Sequence, residues 1–244
     1  MSGRRAAGAA ASLGALALAA CAPLPQAPPP LPATFIPEVA LPSAQPQVPV
    51  GPDGFSVVER VAMRVSVVTC TEYANGSAWV LDEDTVVTNR HVVEGAVDIE
   101  LTSYDGRHYT GTTSVLDPTS DLALVHIDGT FPEVATVAAQ GPVSAQELYI
   151  VGYPEADRLT TTIARYQDRV EETLEPGADD VDFLAAVTKE GNSGSAVANV
   201  DGEVVGVLYA SNGAGRSYAV TLESLQDFLA DPSTHEPNEA DCGW

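Results

Sequence analysis

Between about residue 55 and residue 220 the chain is a succession of short runs rich in β-branched residues, set close together and separated by turn-forming pairs. The runs cover 61–68, 77–81, 85–88, 97–101 and 122–127, then 147–151, 160–166, 181–184, 195–200, 203–209 and 217–220. Asp82-Glu83-Asp84, Asp105-Gly106 and Asp201-Gly202 supply turns between them, the last a strong hairpin signal. Runs this short, several of them alternating apolar and polar residues, build strands rather than helices. They predict an all-β architecture, a barrel or sandwich pair. One helix is expected at the end, over 222–229, where Thr221 is placed to cap it and Glu223 suits its first turn.

The 244 residues suffice for one compact unit or two small packed barrels, and 45% hydrophobic residues exclude wholesale disorder. Charge is lopsided: 34 acidic residues stand against 11 basic ones, a net charge of −23. Such a field repels nucleic acid and anionic membrane surfaces, so no nucleic-acid partner is expected. It also keeps a protein soluble without any partner. Acids crowd the stretch 168–182, which reads as a solvated loop because it lacks the ligand spacing of a metal-binding loop. No metal and no cofactor are expected.

The N-terminal end has its own logic. Met1-Ser2-Gly3-Arg4-Arg5 is a basic opening, and 6–20 is an apolar, uncharged run too short to remain as a spanning helix. It ends in Leu18-Ala19-Ala20-Cys21, which resembles the bacterial lipobox, where a signal is cut before a cysteine that becomes diacylated. Cys21 is then the expected lipidation site and 1–20 the signal peptide; an ordinary secretory signal cut nearby is the alternative. Residues 21–54, densest in proline at Pro28-Pro29-Pro30, show neither helical nor strand period and read as an extended tether. This organisation predicts a cell-envelope protein, lipid-anchored to a bacterial membrane and facing the periplasm or the exterior. Once Cys21 is set aside, Cys70 and Cys242 remain as an even pair, expected to form a disulfide in an oxidising compartment. Two unrelated thiols are the alternative.

Chemistry is suggested by Gly191-Asn192-Ser193-Gly194-Ser195, flanked by apolar strand-like residues. Glycines on both sides of a serine permit a tight turn that leaves its hydroxyl clear, and such a turn can aim backbone N–H groups at one point. Alone it is as readily a glycine-rich hairpin. A serine nucleophile needs a base, and the base needs an orienting acid. Of His91, His108, His126 and His235, only His91, in Thr88-Asn89-Arg90-His91-Val92-Val93, sits at the end of a β-rich run. His126 lies inside a strand, His108 follows a turn and His235 is in a polar tail. Asp121 opens the apolar stretch Asp121-Leu122-Ala123-Leu124-Val125.

The order His91, Asp121, Ser193 in those contexts resembles the trypsin-like serine protease superfamily, and within it the bacterial HtrA-like branch and membrane-tethered periplasmic proteases. Gly76-Ser77-Ala78, Tyr149-Ile150-Val151-Gly152-Tyr153-Pro154 and Val205-Gly206-Val207-Leu208 add to the likeness, which spans 57–229. It implies two six-stranded antiparallel β-barrels packed face to face, over 55–140 and 141–230, with a short C-terminal helix; by its composition 231–244 is an acidic tail. It also implies a serine endopeptidase in which Ser193 attacks, His91 moves the proton and Asp121 orients His91. Gly191 and Ser193 N–H groups would form the oxyanion hole, and Val187, Thr188, Tyr209, Ala210 and Ser211 would line or border the substrate pocket. No aspartate falls at that pocket's base, which disfavours cleavage after Arg or Lys. The expected partners are protein or peptide substrates and, through Cys21, the membrane; the protein is expected to be a monomer. After residue 229 no peptide-binding PDZ module is expected.

Two departures stand out. Asn192 replaces the aspartate that binds a freed N-terminus in trypsin-like zymogens, and Ser195 stands where the family has glycine, adding a side chain where backbones pack closely. A silent relative that binds peptides through the same cleft is the main alternative. An esterase on an α/β fold would want G-x-S-x-G and the histidine last, which is not the order here. A purely structural lipoprotein is the remaining reading.

Overall fold

A computed structural model describes residues 48–172, 179–240 and 242. The expected signal peptide, Cys21 and most of the expected tether lie outside these residues. Six strands form the first barrel: β1 (Ala62–Thr69), β2 (Tyr73–Val80), β3 (Thr85–Thr88), β4 (Ala96–Ser103), β5 (His108–Leu116) and β6 (Ala123–Ile127). They run antiparallel in the order β5-β4-β1-β2-β3-β6, and β6 returns to pair with β5, which closes the barrel. The second barrel comprises β7 (Glu147–Gly152), β8 (Thr160–Val170), β9 (Val181–Ala185), β10 (Ala196–Ala198), β11 (Val204–Ser211) and β12 (Arg216–Thr221). Its order is β10-β11-β12-β9-β8-β7, closed by β7 on β10.

Strand alternation builds both cores and joins them. Along β2, Ala78 and Val80 point into the first barrel with Met63, Val65, Leu101 and Val125. Trp79 points the other way and packs with Leu148, Ile150, Leu184 and Leu208 of the second barrel. Successive side chains on a strand face opposite sides, so Ser77 shares the Trp79 side of β2. That parity decides what Ser77 reaches.

Among the described residues three short α-helices complete the fold: α1 (Val57–Arg60), α2 (Arg90–Val93) and α3 (Leu222–Ala230). In α3 the expected cap is present, the Ser224 N–H donating to Thr221 Oγ1 at 3.1 Å, and Leu222, Leu225 and Phe228 bury one face. Among the described residues no helix is long and apolar enough to cross a membrane.

Four local expectations are corrected. β5 falls where no strand was expected: its sequence His108-Tyr109-Thr110-Gly111-Thr112 is half exposed and carries few large apolar residues. Packing includes residues before 55, because Val48 is buried in the second core and Val50 pairs with Ser56. Within the acidic stretch, Asp168 lies in β8 and Asp182 in β9, and Asp182 is buried rather than solvated. Burial pushes its carboxyl up, opposed by Arg169 at 3.4 Å. Finally, a strand falls in the acidic tail, where none was expected. After α3 it crosses to the first barrel, where β13 (Glu236–Pro237) pairs with Leu116 and Val115.

Beyond β13 the tail is fastened twice. The Asn238 side chain donates to Val93 O (2.7 Å) and Ser114 Oγ (2.8 Å) and accepts from the Gly95 N–H (2.8 Å), which grips the end of α2. Cys242 is then disulfide-bonded to Cys70, with Cα atoms 5.3 Å apart, as the cysteine count led us to expect.

Candidate active site

His91 sits on α2, a single turn directly after β3. Asn89 occupies the N-cap position in extended backbone, yet its side chain makes no cap; it donates instead to the Asp121 carbonyl at 2.7 Å. Asp121 follows a turn wound around Asp117, whose Oδ1 accepts from the Thr119 N–H (2.8 Å), the Thr119 hydroxyl (2.9 Å) and the Ser120 N–H (3.1 Å). The Asp121 carboxylate takes His91 by two points, Oδ1 from the backbone N–H at 2.9 Å and Oδ2 from Nδ1 at 2.5 Å. An ionised carboxylate only accepts, so Nδ1 carries the proton and Nε2 presents its lone pair. The imidazole is 49% exposed and the carboxylate 12%, so the base faces solvent while its orienting acid is screened.

Ser193 lies on a turn between Gly191 (φ +85°) and Gly194 (φ +86°), where a side chain would be strained. Its hydroxyl is directed at the Tyr209 carbonyl, 3.5 Å away, and its own carbonyl accepts from the Ser77 N–H at 2.7 Å. Among the described residues neither the Gly191 nor the Ser193 N–H has an internal hydrogen-bond partner, so both remain available. Gly76 is the point where the two halves meet. A Cβ there would come within 3.2 Å of the Ser193 carbonyl oxygen and 2.7 Å of Val92 Cγ1, one residue from His91.

A cleft of about 440 Å³ opens beside Ser193 between 188–190 and 208–211. Thr188, Tyr209, Ala210 and Ser211 line it. Val187 does not: it is 59% exposed, because the alternation of β9 continues and turns it outward while Ala186 and Thr188 point in. The Thr188 hydroxyl in its wall is already engaged: Oγ1 lies 2.8 Å from Ser217 Oγ, and Ser217 donates to Ala186 O at 3.1 Å. Lys189, at the rim, is paired with Glu155 at 2.8 Å. Tyr209 divides this cleft from a second one walled by Phe183, Tyr218 and Arg216, the guanidinium 5.7 Å from the Phe183 ring centre.

A family model described as "Trypsin-like peptidase domain" matches residues 76–207, more than half of the chain. The chain belongs to the trypsin-like peptidase family. Among its relatives, the serine protease HTR4 of Rattus norvegicus is 31% identical over 185 residues, 72% of this chain and 38% of that protein. The serine protease Rv3671c of Mycobacterium tuberculosis is 25% identical over 177 residues, 69% of this chain and 44% of that protein. This trypsin-like peptidase thus spans about two fifths of the length of these curated relatives. In fold it is similar to the active form of Rv3671c, with a TM-score of 0.66 at 24% identity over 71% of this chain and 81% of the other. It is similar too to the HtrA-type protease AlgW with tripeptide, with a TM-score of 0.64 at 24% identity over 71% and 61%. Those structures bear on the fold alone, and they agree with two closed barrels.

Three residues around the site went unassigned in the sequence. Ser77 and Asn89 lie within family-like segments but had no role, and Asn238 lay in a polar tail. Only Ser77 and Asn89 had a local signal, their position inside motifs.

Proposed function

We propose that this chain is a serine endopeptidase working through an acyl-enzyme, with Ser193 as nucleophile, His91 as base and then acid, and Asp121 as the group that orients it. The observation that carries the reading is the two-point Asp121–His91 contact, which fixes the imidazole with its Nδ1 proton on Asp121 and its basic Nε2 on a helix turn packed beside the segment that bears Ser193. The Ser193 O–H proton passes to Nε2 as Oγ bonds to the substrate carbonyl carbon. The electron pair moved onto the carbonyl oxygen is received by the Gly191 and Ser193 N–H groups. As the C–N bond breaks, His91 returns the proton to the leaving amine. Water then repeats the sequence on the ester and frees Ser193. The substrate lies extended along β11, its residue before the cut in the 440 Å³ cleft. Hydroxyls already satisfied among themselves and a lysine already paired favour an uncharged residue there.

The leader and tether support a lipidated envelope protein held through Cys21. Mass measurement of the membrane-extracted protein, with Cys21→Ser as control, tests that part separately.

The deciding experiment is labelling of the folded chain by a fluorophosphonate, followed by peptide cleavage. Ser193→Ala and His91→Ala are expected to lose labelling, and turnover is expected to fall by at least about 10³-fold. The Ser193 hydroxyl directed at the Tyr209 carbonyl favours a second reading, a module that binds peptides without cleaving them. A folded wild type that binds peptide and never labels selects it.

A further inference from the structure

Ser77 is fully buried on β2 of the first barrel, yet its hydroxyl and N–H are bound to the second. Its hydroxyl donates to the Gly191 carbonyl at 2.7 Å and accepts from the Tyr153 N–H at 2.9 Å. Its N–H holds the Ser193 carbonyl at 2.7 Å, and its carbonyl is held in turn by Thr88 Oγ1, also at 2.7 Å. One residue therefore fixes the carbonyls on both sides of Asn192.

The consequence follows from peptide geometry. A trans peptide is planar, with N–H and C=O pointing opposite ways, so fixing one carbonyl fixes the direction of the next N–H. The Glu190 carbonyl is taken by the Glu155 N–H at 2.6 Å, which sets the Gly191 N–H on the opposite side. Ser77 pins the peptide plane that follows Gly191, so the glycine is clamped between two anchored planes. Glycine at φ +85° is otherwise the freest backbone unit in the turn. Asn192, in the plane between, is buried and held locally: its carbonyl accepts from the Ser195 N–H at 2.9 Å, and its Oδ1 from the Ser195 hydroxyl at 3.4 Å. Room for that hydroxyl exists because residue 152 is glycine, where a Cβ would strike the Ser195 side chain.

We propose that the Ser77 hydroxyl is a positioning residue for the oxyanion site, holding the Gly191 turn from the opposite barrel so that its N–H groups are aimed before substrate arrives. The inference rests on the protease reading above. In this chain the anchoring of the turn is internal, with Ser77 and Ser195 supplying what a charged partner at Asn192 would otherwise do. Ser195 is then a second support of the turn, which accounts for a side chain at that position.

The test compares wild type, Ser77→Ala and Ser77→Cys in the full chain, after circular dichroism and melting confirm each is folded. For each, kcat and KM for a peptide substrate are measured, with the affinities of a peptide trifluoromethyl ketone, which forms a tetrahedral oxyanion, and of the matching peptide alcohol, which does not. Ser77→Ala is expected to lower kcat about 10- to 100-fold. KM and alcohol affinity should stay within about twofold, and the ketone should weaken in step with kcat. Ser77→Cys, which fits the space and donates more weakly, should fall between. Should Ser77→Ala not fold, Ser77→Cys decides: a lower kcat with an unchanged KM supports the role. A folded variant with unchanged kcat and ketone affinity, or one that weakens ketone and alcohol alike, overturns it. A folded wild type inert to fluorophosphonate overturns the protease reading and takes this inference with it.

Discussion

The two halves of the candidate site are held by different physics. His91 rides on one turn of helix, half open to solvent, and is kept in place by polar side chains: Asp121 in front, Asn89 behind Asp121, and Asn238 at the far end of α2. Ser193 rides on a turn of buried backbone, kept by glycines that accept no side chain and by hydrogen bonds from the main chain and hydroxyl of Ser77. Polar contacts of the first kind each contribute modestly and tolerate partial loss. Close backbone approach of the second kind fails abruptly, because a packed turn has nowhere to move. A base that must accept and release a proton tolerates some motion. Donors that stabilise an oxyanion act only at the correct distance.

The sharpest way to break this contrast is Gly194→Ala. A Cβ at φ +86° is strained by itself, and here it would run into the Ser77 carbonyl. The expected loss is about 3–5 kcal/mol of stability, or collapse of the turn with activity lost. Chemical denaturation with parallel activity assay measures it. A variant with wild-type stability and turnover would show that the turn is not the rigid half.

The other half is probed by Asn238→Ala, which removes three hydrogen bonds to the end of α2 and to β5. About 1–3 kcal/mol should be lost, less than for Gly194→Ala because these groups are partly exposed and water replaces the asparagine. Hydrogen exchange should rise at 93–95 and stay unchanged at 191–195. Equal increases at both places would sink the idea that the halves are held independently. Reducing Cys70–Cys242 should act on the same segment and by more. The bond closes a loop across 172 residues, for which chain entropy sets an upper bound of about 5 kcal/mol. Two free thiols on the folded, unreduced protein would rule the bond out.

The same contrast explains what could be read from the sequence. Strand alternation and glycine turns are local, so most strands, α3 with its Thr221 cap and the order His91, Asp121, Ser193 were legible. β5 was not, because its partners β4 and β6 supply the order that its own Thr- and Gly-containing sequence does not signal. Asp182, inside the expected run 181–184, was misread as solvated because its partner, Arg169, lies across a strand pair. The strand and clasp in the tail were missed for the converse reason. Its polar residues have no pattern of their own, and only an edge of the first barrel turns Glu236–Pro237 into a strand and Asn238 into a clasp. Val187 shows the limit of alignment without pleat: position in the chain placed it at the pocket, and strand parity turned it out.

The smallest expected effect lies at the seam between the halves. Tyr153 donates its N–H to Ser77, while its buried hydroxyl has no partner among the described residues. Burial pushes this phenol up to about 12 from an ordinary value of 10. The unfolded chain therefore releases the proton before the folded one does. In that interval the native state binds more protons, so its stability falls as pH rises from about 10 to about 12 and is untouched below. Tyr153→Phe removes only the hydroxyl and leaves the N–H to Ser77 in place. At neutral pH it should change stability by less than about 1 kcal/mol, since a buried hydroxyl without a partner contributes little. Between pH 10 and 12 the variant should lose less stability than wild type, by on the order of 2 kcal/mol at the top of the range. Urea melts at pH 7 and at pH 11 separate the two. A large loss at pH 7 would mean that the hydroxyl is a support of the Ser193 turn, and that the rigid half rests on more than glycines and Ser77.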